Sequence, residues 1–240
     1  MTTPTLTGQR FLVVGGSSGI GLAVAGAAKA AGAAVTVVSR SREKLDAALG
    51  TLGDGDVAAV LDTGDAGAIE RFFADQAPWD HIVVSAAETA RGPVRELDPE
   101  AAKAAMESKF WGAYRVARSM RIGQRGTLTL ISGFLSARPQ AAAPLQGAIN
   151  AALEALARGL ALELAPVRVN SVSPGLIDTS LHAGMRAEDR QAMFDGAAAR
   201  LPARRVGQPK DIADAILFVA TNGFTTGSTI TVDGGATIAN

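Results

Sequence analysis

Glycine recurs at positions 15, 16, 19 and 21, in the run Val14-Gly15-Gly16-Ser17-Ser18-Gly19-Ile20-Gly21. Glycines so placed permit a tight turn, close approach of backbone to a charged group, and close packing of the following helix on the preceding strand. Free N–H groups of Ser17, Ser18, Gly19 and Ile20, aided by the helix dipole, then suit an anion such as a pyrophosphate. A plain strand–helix turn can carry the same pattern, so context has to decide. Further on, Ser39 and Arg40 offer a hydroxyl and a cation, with Arg42 close by. Arg40 is either a phosphate partner or an ordinary solvated arginine. Other reactive groups are scarce. There is no cysteine, which excludes disulfides and thiolate chemistry, and His81 and His182 alone make a multi-histidine metal site unexpected.

The elements that must position these groups follow from hydrophobic pattern. Short β-branched runs alternate with longer alanine-rich stretches, which predicts a parallel sheet with helical crossovers. Strands are predicted over 11–14, 35–38, 57–61, 82–84, 128–131, 167–172 and 229–232. Helices are predicted from the glycine run to about 31, then over 42–52, 68–76, 99–120, 145–165 and 211–220. Strands apolar on both faces need cover on both sides, as in a doubly wound α/β sheet. The stretch 174–202 has weak periodicity and reads as a mobile lid or substrate loop, placed at about 176–205. No repeat or linker divides the 240 residues, so one domain over 1–240 is expected. With 23 basic and 23 acidic residues the formal net charge is zero, which argues against a nucleic-acid or anionic-membrane surface. The polar start, Met1 to Gln9, lacks a signal-peptide profile, and no apolar run is long enough to span a bilayer. A cytoplasmic protein is expected.

Taken together, these motifs resemble the short-chain dehydrogenase/reductase family over essentially the whole chain. The glycine run is similar to the family's Thr-Gly-x-x-x-Gly-x-Gly, with Val14 in the threonine place. Asp62 matches an aspartate that contacts the adenine ring. Ser173-Pro174-Gly175-Leu176-Ile177-Asp178-Thr179 resembles the segment that holds the nicotinamide carboxamide, and Val232-Asp233-Gly234-Gly235 a C-terminal signature. The resemblance implies a Rossmann fold with seven parallel strands and helices on both faces. It implies a pyridine dinucleotide held by Gly15, Ser17, Ser18, Gly19, Ile20, Gly21, Ser39, Arg40, Asp62, Ser85, Ala86, Asn150, Pro174, Gly175, Ile177 and Thr179. Arg40, with no carboxylate at the end of the second strand, favours NADP(H) over NAD(H).

The same resemblance exposes departures. Val84-Ser85-Ala86-Ala87 stands where the family has Asn-Asn-Ala-Gly, and the Asn, Ser, Tyr and Lys of its active site become Lys109, Gly133, Gln146 and Asn150. Gln146 and Asn150, four apart, share a helix face. Neither amide supplies a proton at neutral pH, and loss of general acid catalysis typically costs ~10²–10⁴-fold. Lys109 and Asn150 look like the family's asparagine and lysine exchanged. A partly desolvated Lys109 could act as acid or stabilise a developing alkoxide; alternatively it snorkels or pairs with Glu107 or Glu154. Ser132 and Ser136 flank Gly133 and are candidates for the missing hydroxyl, although strand alternation points Ser132 to the opposite side. His182 in the lid and Glu88 after the fourth strand are lesser candidates. Tyr114, the one tyrosine, is expected at a helix-packing or subunit surface, with Phe110 and Trp111.

Two readings follow. The chain is an NADP(H)-dependent oxidoreductase with a non-standard site, acting on an activated carbonyl, imine or quinone-like small molecule. Alternatively it is a catalytically inactive nucleotide-binding protein, a sensor or an inactive subunit. In either case the resemblance implies a homodimer or homotetramer, and no metal is expected.

Overall fold

The computed structural model describes residues 5–53 and 55–239, His182 by its backbone alone. Seven strands form a parallel sheet: β1 Arg10–Val14, β2 Ala34–Ser39, β3 Val57–Val60, β4 Trp79–Val84, β5 Ile122–Ile131, β6 Arg168–Pro174 and β7 Thr229–Val232. Their order is β3-β2-β1-β4-β5-β6-β7, so the winding reverses between β1 and β4. Phe11 lies beside Val35 on one flank and His81 on the other. Alternation along β1 sends Phe11 and Val13 into one apolar layer and Leu12 and Val14 into the other.

The helices are α1 Gly19–Ala30, α2 Arg42–Leu52, α3 Ala66–Ala74, α4 Pro99–Met106, α5 Gly112–Ser119, α6 Pro144–Glu163, α7 Ala187–Arg200 and α8 Pro209–Thr221. Val24, Leu45 and Ile212 of α1, α2 and α8 bury against one sheet face. Ile69, Val116 and Leu153 of α3, α5 and α6 bury against the other. Burial of each such side chain contributes about 1.5–3 kcal/mol. No helix among the described residues is long and apolar enough to cross a membrane.

Two predictions of element type are corrected. The helix expected over 99–120 is interrupted by a π turn, Glu107–Trp111, in which the Gly112 N–H donates to the Glu107 carbonyl. One inserted residue changes no hydrophobic period long enough to be seen, so the pattern looked continuous. The stretch read as a mobile lid or substrate loop, with no helix assigned to it, contains α7. Its signal was faint because Phe194 is the one buried residue of that helix, leaving almost no apolar stripe for a pattern to show.

Candidate active site

The glycine turn leaves β1 where the strand order reverses. Gly15 has φ +86°, and a Cβ there would lie 2.4 Å from the Ala86 nitrogen. That proximity is the purpose of the residue: Ser85 and Ala86 both donate their N–H to the Val14 carbonyl, at 2.8 and 3.0 Å, closing the turn against the end of β4. A Cβ on Gly21 would fall 2.1 Å from the Gly15 oxygen, so the first turn of α1 is seated directly on the strand end. Ser18 precedes α1 with extended backbone and makes no side-chain cap bond, so its hydroxyl does not occupy the first-turn amides. Ser17 Oγ donates to Ser39 Oγ at 3.0 Å, joining the turn to the end of β2. The turn is therefore a backbone cradle that side chains would fill, and it fits a pyrophosphate.

The segment beyond β6 crosses this cradle. Gly175 has no room for a Cβ, which would sit 2.6 Å from Asp233 Cα. Buried Ile177 bridges Gly207 in parallel fashion, and the Asp178 N–H donates to the Gly207 carbonyl at 2.9 Å. Thr179 comes to the glycine turn, where a Cβ on Gly19 would be 3.5 Å from Thr179 Cβ. Pro174 ends β6. Asp62 is exposed and accepts from the Gly64 N–H at 2.9 Å.

Arg40, read as either a phosphate partner or a solvated arginine, donates from Nη2 to Glu88 Oε1 in an exposed ion pair. The hydrogen bond to the Glu88 carboxylate holds the arginine's pKa above its ordinary value. The Glu88 carboxylate is engaged by Arg40, and its backbone N–H donates to Ser108 Oγ at 2.8 Å.

Lys109 and Asn150 meet by a hydrogen bond, and Gln146 lies one turn before Asn150 on α6. Lys109 is buried at 8% exposure within the π turn. Its Nζ donates to Asn150 Oδ1 at 2.6 Å and to the Ser132 carbonyl at 2.9 Å. Burial disfavours its charge and lowers its pKa to about 8, opposed by the nearby Glu154 carboxylate. Glu107, the other partner considered for it, pairs with Arg115 instead. Gly133 leaves the space that the Asn150 amide fills, since a Cβ there would be 2.7 Å from Nδ2. Gln146 Oε1 is buried without a hydrogen-bond partner among the described residues.

Ser132 Oγ donates to Glu154 Oε1 of α6 at 2.9 Å, on the layer that Leu128 and Leu130 of β5 also face, in keeping with strand alternation. Ser136 Oγ donates to the same oxygen at 2.6 Å. Glu154 is the residue that sequence reasoning underused. Its signal was present, because Gln146, Asn150 and Glu154 recur every four residues along α6. Tyr114 is exposed, stacked edge-on against Trp111. The side chain of His182, a lesser candidate for substrate contact, lies outside what the structure describes.

A parallel sheet whose order reverses beside a glycine turn, with a helix N-terminus aimed over that turn, defines a dinucleotide-binding α/β protein. Comparison with known proteins narrows this class. The family model described as enoyl-(acyl carrier protein) reductase matches residues 14–237. The short-chain dehydrogenase/reductase ucsE of Acremonium sp is 32% identical over 267 residues, covering 99% of this chain and 98% of that protein. A crystal structure of a small-chain dehydrogenase in complex with NADPH is 35% identical, with a TM-score of 0.80 and coverage of 96% and 99%. An NADPH-bound short-chain oxidoreductase from Pseudomonas aeruginosa PAO1, described as containing an atypical catalytic center, is 28% identical with a TM-score of 0.86 and coverage of 97% and 98%. The chain belongs to the short-chain dehydrogenase/reductase family, a family of NAD(P)-dependent oxidoreductases.

Proposed function

We propose that this protein is an NADP(H)-dependent oxidoreductase in which Lys109 takes the acid role, on a site where Lys109, Gly133, Gln146 and Asn150 replace the family's Asn, Ser, Tyr and Lys. The observation that carries this reading is the buried Lys109 ammonium held by Asn150 Oδ1 at 2.6 Å. When bound, the nicotinamide supplies or accepts the hydride. The protein's own residues do the rest. Ser17 to Gly21 hold the pyrophosphate, Ser39 and Arg40 the adenosine ribose, and Asp62 the adenine. Ser85, Ala86 and Asn150 line the path to the nicotinamide end, where Pro174, Gly175, Ile177 and Thr179 fix the carboxamide.

Lys109 has three N–H donors, and Ser132 O and Asn150 Oδ1 take two of them. The third is left for a substrate heteroatom. A pKa of about 8 leaves the amine mostly protonated at neutral pH yet willing to release its proton. During reduction Lys109 Nζ gives that proton to the substrate oxygen or nitrogen, with Gln146 on the same face of α6 as Asn150. A lone ammonium is a weaker arrangement than a phenol–lysine pair, which suits activated carbonyls, imines and quinone-like molecules. The atypical centre described for the Pseudomonas relative supports an active site of unusual composition in this family. Trp111 and Tyr114, 43% and 40% exposed, are the contact we assign to a homodimer or homotetramer.

The test is NADPH oxidation by the purified chain against a panel of activated ketones, cyclic imines and quinones. Turnover of at least one member is expected, and Lys109→Met should lower kcat by about 10²–10³-fold while leaving NADPH affinity nearly unchanged. Consumption of no panel member with NADPH still bound would identify a nucleotide-binding module and refute the catalytic reading.

A further inference from the structure

Arg40 and Glu88 meet above the glycine turn from opposite flanks. Arg40 follows β2, Glu88 follows β4, and β1, which feeds the turn, lies between those strands. Their side chains, 55% and 56% exposed, are joined as an ion pair. The backbone of Glu88 is fixed separately, its N–H donating to Ser108 Oγ at 2.8 Å. The Glu88 carboxylate can therefore leave Arg40 by side-chain rotation alone.

The charges gathered here do not favour a phosphate. Arg40 is bonded to Glu88 and lies within the field of Asp62. Arg42, the other nearby cation, has its own partner in Asp46 at 3.8 Å. Three carboxylates thus oppose two guanidinium groups. A ribose 2′-phosphate would bring about two further negative charges to this spot, whereas a ribose 2′-hydroxyl brings none.

Resting on the dinucleotide site described above, we propose that Glu88 is a specificity-determining residue whose carboxylate competes with the nucleotide 2′-phosphate for Arg40. To take the phosphorylated nucleotide, Arg40 exchanges one charge-assisted bond for another, and the released carboxylate stays tethered beside the phosphate. The unphosphorylated nucleotide requires no such exchange. Glu88 therefore restrains a preference for NADP(H) that Arg40 creates, and keeps NAD(H) within reach of the same site.

Calorimetric titration of the full chain with NADP⁺ and with NAD⁺ tests this, comparing wild type, Glu88→Gln, Arg40→Met and the double variant. Glutamine keeps the length of the side chain and removes its charge. Glu88→Gln should tighten NADP⁺ by about fivefold or more at low salt while moving NAD⁺ by less than about twofold. The gain should shrink as ionic strength rises, and most of it should be missing when Arg40 is Met. An NADP⁺-to-NAD⁺ affinity ratio unmoved by Glu88→Gln overturns the proposal, as does an equal change for both nucleotides. Failure of both nucleotides to bind wild type is a distinct result that removes the dinucleotide reading itself, and this proposal with it.

Discussion

The chemistry of Lys109 depends on two opposing effects of comparable kind. Enclosure by protein strips water from the amine and lowers its pKa to about 8, while the Glu154 carboxylate pulls it back up. Glu154 does not touch the lysine through any bond described; it accepts from Ser132 Oγ and Ser136 Oγ and acts through its charge. If Lys109 donates the proton, reductive kcat/KM should hold steady up to about pH 8 and fall above it, as the amine loses the proton it must deliver. Glu154→Gln retains an acceptor for both serines but removes the negative charge, so the break should move to lower pH. Rate profiles of the two proteins between pH 6 and pH 9.5 make the comparison. A break that stays in place in the variant removes Glu154 from this role.

Lys109 reaches the site because of three elements, none sufficient by itself. The π turn Glu107–Trp111 widens the helix by one residue and carries the lysine inward, while the neighbouring Trp111 is left exposed. Helix α6 aligns Gln146, Asn150 and Glu154 on one face. The residue after Ser132 must be bare for Asn150 to lie against it, because a Cβ at Gly133 would be 2.7 Å from Asn150 Nδ2. Gly133→Ala is therefore expected to push the amide aside and loosen its hold on Lys109. Overpacking of this kind costs about 1–3 kcal/mol, so the thermal midpoint should drop together with kcat. A variant with unchanged melting and unchanged turnover would mean that the Gly133–Asn150 contact is unimportant.

At the scale of the whole molecule, the sheet has a working end and a structural end. His81 belongs to the latter, with Nε2 at 2.6 Å from Gln9 Oε1 and Nδ1 at 2.7 Å from Thr127 Oγ1. The amide oxygen accepts only, so Nε2 carries the hydrogen and Nδ1 accepts from the threonine. Burial lowers the folded pKa to about 4 from an ordinary 6.5, the carboxylate of Asp80 opposing it weakly. Because the folded value is the lower one, the unfolded chain takes up the proton first as pH falls. The contribution of His81 to stability is then complete above pH 6.5 and is lost progressively towards pH 4, on the order of 3 kcal/mol in all. Urea unfolding at pH 7 and pH 4.5 should show a larger fall in stability for wild type than for His81→Asn. Equal falls would place the acid sensitivity elsewhere.

What was legible in the sequence was whatever a short window of chain controls. Alternating apolar runs gave seven strands and most of the helices, and the glycines announced the turn because backbone conformation and close approach restrict those positions to one residue type. That Lys109, Gln146 and Asn150 form a group was what the family resemblance implied. Their partners were not legible: the bonds from Lys109 to Ser132 and Asn150 span 23 and 41 residues, and the pair of Arg40 with Glu88 spans 48. Such pairings depend on how layers stack and how far side chains reach across them. No local period encodes that, so the pairing of Arg40 with Glu88 and the charge that Glu154 brings near Lys109 were decided only by tertiary packing.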